Sequence, residues 1–152
     1  MAQSELRPAL ASDVTAITSL VRGAYAKYVI RMGKEPKPMT VDYAKAVREH
    51  QIWVVEDAGE MAGVLELVPQ PDHLLIENVA VNSALQGHGL GRRLMKFAEN
   101  EALRQGFSET RLYTHESMVE NIRLYARIGY RETERHKQDG FARVFMSKRL
   151  SD

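Results

Sequence analysis

The residues best suited to chemistry sit in one short stretch, "NSALQGHGLGRRL", Asn82 to Leu94. Gly87, Gly89 and Gly91 stand one residue apart, and Arg92 and Arg93 follow. The stretch comes after an apolar run, "HLLIENVAV", that reads as a strand. It opens an amphipathic run that reads as a helix. At such a junction successive backbone N–H groups point outward without partners, and the helix dipole adds partial positive charge. That is an anion site, and phosphate is the anion it suits best. Glycine matters because a side chain would hold the anion away from the backbone. A Walker loop would need Gly-Lys-Ser/Thr, but Gly91 is followed by two arginines. A dinucleotide loop would need G-x-G-x-x-G and a later ribose-binding acid, and neither is present. The plain alternative is a turn that only joins strand to helix.

A second chemical residue lies just upstream. Glu77 interrupts the apolar strand, and by the period of two it shares a face with Leu75, Val79 and Val81 unless a bulge intervenes. An acid there could take a proton from an amine, or it could simply pair with a nearby arginine. Further along, Tyr125 offers a phenol able to donate a proton, on a helix whose apolar face would equally well bury it. None of the five histidines shows metal-ligand spacing, and no metal is expected. His88 is expected to hold its side chain in solvent.

These residues need elements to position them. "ELRPAL" is a short extended start, with Ser12 or Asp13 capping a first helix that runs past Gly23 through Tyr25 and Tyr28. Pro36 and Pro38 break it, and Thr40 or Asp42 opens a second helix. "QIWVVED" and "MAGVLELV" are strands joined by the tight turn "AGE". After the glycine loop come a long helix stopped at Gly106, the strand "SETRLYTH", and a helix opened by a Ser117–Glu120 capping box. "YRETERHK" and "FARVFMSKRL" form a final hairpin around Asp-Gly. The order is strand, two helices, three strands, helix, strand, helix, two strands. It predicts a mixed α/β sandwich around one sheet.

The chain of 152 residues is expected to form one domain, residues 1–152. Lys and Arg total 21 against 20 Asp and Glu, a formal charge of +1, which gives no support for a nucleic-acid or membrane binder. There is no cysteine, so disulfides, thiolate metal sites and a cysteine nucleophile are excluded. With no apolar run long enough to span a bilayer and no apolar signal core in "MAQSELRPAL", a cytoplasmic protein is expected.

Gln86-Gly87-His88-Gly89-Leu90-Gly91 resembles the acyl-CoA signature of the GNAT superfamily of N-acetyltransferases, Gln/Arg-x-x-Gly-x-Gly/Ala. "ENVAV" is similar to that family's fourth strand. "ENIRLYARIGYRE", with Asn121, Tyr125, Gly129 and Tyr130, is similar to its second motif. The resemblance covers nearly the whole chain. It implies an α/β (α+β) fold with a mixed, mostly antiparallel sheet of about seven strands and four flanking helices.

The resemblance also implies acetyl-CoA as co-substrate. Its pyrophosphate would lie on the amides of Gln86, Gly87, His88, Gly89, Leu90, Gly91, Arg92 and Arg93. Its pantetheine arm would run beside Val79, Ala80 and Val81 and bond Asn121. Tyr125 would be the general acid, Glu77 a base acting directly or through water, and an N–H near Val79 would polarise the thioester carbonyl. The acceptor would be an amine of a small molecule or protein, attacking the thioester directly. Tyr25, Tyr28 and Arg31, three apart on one helix edge, are candidates to line its pocket, with Arg31 or Lys34 pairing an anionic group. Glu66 would instead attract a cationic amine, so the acceptor's charge is left open. Homodimers through the last strands are common in such folds. A non-catalytic acyl-CoA-binding module is the alternative, since it would keep the loop without needing Tyr125 or Glu77.

Overall fold

The computed structural model describes residues 5–151; Met1–Ser4, where the leader-peptide reading begins, and Asp152 lie outside the described residues. Seven strands form one sheet in the order β1-β2-β3-β4-β5-β7-β6. They are β1 (Arg7–Pro8), β2 (Gln51–Asp57), β3 (Glu60–Pro69), β4 (Leu74–Val81), β5 (Glu109–His115), β6 (Arg131–Gln138) and β7 (Phe141–Arg149). Every neighbouring pair is antiparallel except β4–β5. The helices are α1 (Val14–Met32), α2 (Tyr43–Glu49), α3 (Leu90–Arg104) and α4 (Val119–Arg127). The expected order and the mostly antiparallel sheet with four helices are what the chain adopts.

Each face of the sheet buries its own apolar layer. On one, α1 and α2 lay Ile17, Leu20, Val21, Tyr43 and Ala46 on Ile52, Val54, Val64 and Ala80. On the other, Leu94, Met95, Ala98 and Ala102 of α3 cover Leu65, Leu67, Leu74, Ile76, Leu112, Val144 and Met146. Gly63 of β3 is what lets α3 sit so close: a Cβ there would lie 3.1 Å from Leu94 Cδ1 and 3.2 Å from Val55 Cγ1. Asp42 caps α2 as expected, accepting from the amides of Ala44 and Lys45. Asp13 precedes α1 without capping its amides; it accepts the Leu10 N–H at 2.7 Å and a two-point ion pair from Arg7.

Two local expectations are corrected. The Ser117–Glu120 capping box does not form. Ser117 instead contacts His115 Nδ1, and Glu120 is drawn to Arg31, because a bidentate charged partner is stronger than a neutral amide. The face assignment of Glu77 also changes. On β3, Glu66 pairs with Asn78 and Leu67 with Ile76, so Glu77 is an extra residue, a bulge. Side-chain parity flips across it. Leu74 and Ile76 point into the α3 layer, whereas beyond the bulge it is Val79 and Val81 that pack there, and Ala80 joins the α1 layer. Glu77 therefore does not share a face with Val79 and Val81.

Candidate active site

The bulge sits where the sheet opens. β4 and β5 are in register only from Leu74–Thr110 to Ile76–Leu112; past Ile76 they diverge. One side of the second half of β4 thus loses its sheet partner. The Asn82 N–H donates to Ala62 of β3, and Asn78 and Ala80 share its parity. The carbonyls of Val79 and Val81 point the other way. Val79 O accepts the Tyr25 hydroxyl at 3.2 Å, and Val81 O accepts Gln86 Nε2 at 3.3 Å. In an antiparallel ladder a residue's N–H and C=O face the same side, so the Val79 and Val81 amides also face the gap.

The cleft continues along the glycine loop. A 3-10 turn at Ser83–Leu85, capped by Asn82, leads into Gly89, the N-cap of α3, at φ 84°. Among the described residues no acceptor meets the backbone N–H of Gln86, Gly87, His88, Gly89, Leu90, Gly91 or Arg92; the Arg93 amide closes the first helical bond, to Gly89 O, at 3.1 Å. Seven consecutive amides at a helix start make a strong anion cradle. Lys27, Arg92 and Arg127 line the same cleft, which holds about 400 Å³ between Tyr28 and Tyr25 of α1, β4, the loop, and Leu124, Asn121 and Tyr125 of α4. The Arg93 side chain lies on the other side of α3, beside Leu6, Lys96 and Phe97. His88 is exposed, as expected.

At the inner end of the cleft stands Tyr125. It packs at 6.1 Å from the Tyr130 ring, and its hydroxyl has no hydrogen-bond partner among the described residues. Burial pushes its pKa up to about 12, so it stays protonated through neutral pH. The side chain of Asn121, one turn earlier, makes only a long 3.8 Å contact to Met118 Sδ among the described residues. Both residues line the cleft and a second, narrower pocket on the α1–α2 side of the sheet. The two spaces thus share a wall at the sheet opening, formed by Tyr25, Val79, Asn121 and Tyr125.

The second pocket is mostly apolar, and the polar groups in its wall are mostly satisfied. Tyr25 donates to Asn78 Oδ1 at 2.7 Å, Asn78 Nδ2 donates to the Tyr43 hydroxyl at 3.1 Å, and Tyr43 donates to Pro38 O at 2.7 Å. Glu66 is buried and bonded to His50 Nδ1 at 2.6 Å; burial raises its carboxyl pKa, and the His50 contact offsets part of that rise. Glu77 accepts the Tyr113 hydroxyl on Oε1 at 2.5 Å, with Lys37 at 3.9 Å. Arg143 completes the lining. Of the residues read as acceptor contacts, Tyr25 and Glu66 line this pocket, whereas Tyr28 lines the cleft. The Arg31 guanidinium, outside the pocket lining, is held by Glu120, whose carboxyl it pulls down to about 2.

Spacing alone does not mark Asn78, Tyr43, Tyr113, His115 or Arg143 as site residues. Asn78 does show in another way: it is a second polar residue inside an apolar strand. Arg143 also left a trace, as the lone charge between Phe141 and Phe145 on one strand face.

With this geometry in place, comparison with known proteins decides the family. Residues 18–130 match the family model of the GNAT acetyltransferases, about three quarters of the chain. The chain belongs to the GNAT acetyltransferase family. Among its GNAT relatives is N-alpha-acetyltransferase 80 of Mus musculus, 38% identical over 90 residues, 59% of this chain and 26% of that protein. The uncharacterized N-acetyltransferase YjgM of Escherichia coli K12 is 27% identical over 127 residues, 78% of this chain and 76% of that one. The first curated relatives are longer, the matched stretch being 26% to 44% of their length. The GNAT fold itself is seen in the PaiA N-acetyltransferase of Thermoplasma acidophilum, solved in complex with coenzyme A, at a TM-score of 0.82 and 13% identity over 98% of this chain and 100% of that one.

Proposed function

We propose that the protein is an N-acetyltransferase that uses acetyl-CoA to acetylate an amine by direct attack on the thioester. The observation that carries this reading is two stretches of amides without partners among the described residues, at Val79 and Val81 on the open side of β4 and along the loop at Gln86–Arg92, with the partnerless Tyr125 hydroxyl at the inner end of the cleft. An anionic, extended, amide-bearing ligand fits that arrangement. The amides of the loop would hold its pyrophosphate, the Val79 and Val81 backbone its pantetheine arm, and Asn121 the arm's far side. When bound, acetyl-CoA supplies an activated acetyl group. The Gln86 side chain, which now occupies Val81 O, would have to turn aside.

The reaction forms one C–N bond and breaks one C–S bond; the amine loses a proton and the departing sulfur gains one. Tyr125 is the candidate for the second transfer because its hydroxyl, without a partner among the described residues, stands at the inner end of the cleft and carries its proton at neutral pH. Glu77 is the candidate for the first. Its Oε2 has no partner among the described residues, and it borders the acceptor pocket. The Val79 N–H, facing the gap, would donate to the carbonyl oxygen as negative charge develops there.

Calorimetric titration with acetyl-CoA and with ATP, followed by a free-thiol assay over a panel of amines, tests the proposal. Acetyl-CoA binding and amine-dependent thiol release are expected. ATP binding without acetyl-CoA binding would reject it, and acetyl-CoA binding without thiol release from any amine would favour a non-catalytic acyl-CoA module.

A further inference from the structure

The charged groups of the acceptor pocket are partnered, with one exception. Glu66 has His50, Glu77 has Tyr113 and Lys37, and Lys34 reaches Gly140 O. Arg143 is 6% exposed yet belongs to no ion pair among the described residues. Its Nη1 donates to Gln138 Oε1 at 2.8 Å, while Nη2 is buried and has no hydrogen-bond partner among the described residues. A desolvated guanidinium with one neutral acceptor is costly, and proteins normally bury such a charge only opposite an anion. The planar group is held in place, stacked 4.3 Å over the Tyr113 ring. The same tyrosine donates its hydroxyl to Glu77, so one side chain presents a cation on its face and a carboxylate at its tip.

We propose that Arg143 is the anion-recognition residue of the acceptor pocket, and that the acceptor is a small amine carrying a carboxylate. The inference rests on the acetyltransferase reading of the site and names its substrate class. Arg143 takes the carboxylate by its fork of N–H donors, and the amine lies toward Glu77 and Tyr125. A polyamine would place a second positive charge against Arg143 and is disfavoured. A through-running polypeptide is disfavoured as well. Just beyond α1, Lys34 bonds Gly140 O and lies over the ring of Phe141, a residue of the pocket wall, so the β6–β7 turn is held against that end of the pocket. The pocket as a whole, about 70 Å³, suits a small amine better than a polypeptide.

The test pairs each amino acid with the same skeleton lacking its carboxylate: phenylalanine with phenethylamine, leucine with isoamylamine, histidine with histamine, β-alanine with ethylamine. Spermidine and a short unblocked peptide complete the panel. Thiol release gives kcat/KM for each. The parent protein is expected to prefer the carboxylated member of at least one pair by roughly 100-fold or more, the discrimination typical of a buried charged contact. Arg143→Met should bring that ratio close to one through loss of the amino-acid rate, with acetyl-CoA affinity retained, and Arg143→Lys should restore part of it. Thermal melting of both variants reports whether they fold. Preference for the decarboxylated amine, spermidine or the peptide, or a ratio that survives Arg143→Met, overturns the proposal while leaving acetyl transfer standing. If no amine is turned over, calorimetric titration of the same amino acids into the CoA-saturated protein decides: binding lost in Arg143→Met supports it, and equal or absent binding in both overturns it. Failure of acetyl-CoA itself to bind overturns the underlying reading instead.

Discussion

A phenol that stays protonated at neutral pH and has nothing to bond is of little use to a core, and of much use beside a leaving thiolate. Tyr125→Phe removes the donor and keeps the ring against Tyr130. It is expected to lower kcat by about 100-fold or more while changing the acetyl-CoA Kd little. Single-turnover kinetics beside calorimetry would read the two effects separately, and equal turnover in the variant would end the acid role. Because the pKa of Tyr125 is pushed to about 12, the parent's pH–rate curve should show no falling limb from this residue in the neutral range. Glu77 is the harder case, since the Tyr113 hydroxyl already engages one of its oxygens. Glu77→Gln should flatten the rise of kcat/KM with pH if the carboxylate takes the amine's proton, and an unchanged profile would make Glu77 a structural anchor for Tyr113. Glu99 shows what that second outcome looks like: it is a buried acid spent on Tyr130 and Lys148.

At the scale of elements, the site depends on two departures from regular structure. The bulge at Glu77 turns an acid toward the pocket on the α1–α2 side while Val79 and Val81 keep facing α3. The left-handed Gly89 turns the loop's amides outward before α3 begins. Gly89→Ala puts a Cβ at φ 84°, a conformation costing about 1 kcal/mol for an L residue. Loss of stability of that order is expected, together with an acetyl-CoA Kd raised several-fold, because relief of the strain would rotate the amides inward. An unchanged Kd would mean that this bend does not hold the ligand. The chain's entry into α1 offers an acid-stability test. Arg7 holds the Asp13 carboxyl below its ordinary value of 3.8. A depressed carboxylate stabilises the fold above its unfolded pKa, and that contribution is lost as pH falls through the folded value. Asp13→Asn should therefore cost about 1–2 kcal/mol at pH 7, and the gap from the parent should close on acidification below about pH 3.8 in denaturant melts.

Over the whole molecule, the cleft joins α1, β4, the loop and α4, so a ligand filling it ties both faces of the sheet together. At 100 times its Kd, CoA should stabilise the fold by about 2.7 kcal/mol and raise Tm by roughly 5–10 °C. CoA analogues lacking the pyrophosphate should do far less, and an equal shift would place the grip elsewhere. No helix of the described residues is long and apolar enough to cross a membrane. Much of this architecture could be read from the residues. Alternating apolar runs, Asp42, the prolines and the Asp-Gly turn each act within a few positions, and so the element order was legible. The glycine loop was legible too, because bare backbone before a helix has few other uses. What the sequence could not decide is where distant groups meet. The parity of Glu77 hangs on a one-residue slip against β3, which no period of two reveals. Arg31 and Glu120 find each other across 89 positions, and that removes one acceptor contact. Arg143 reads as an ordinary strand charge until β5, β6 and β7 close around it and leave one nitrogen without a hydrogen-bond partner among the described residues. Local propensity settles the elements, whereas desolvation and pairing, which belong to the packed chain, settle what the site can hold.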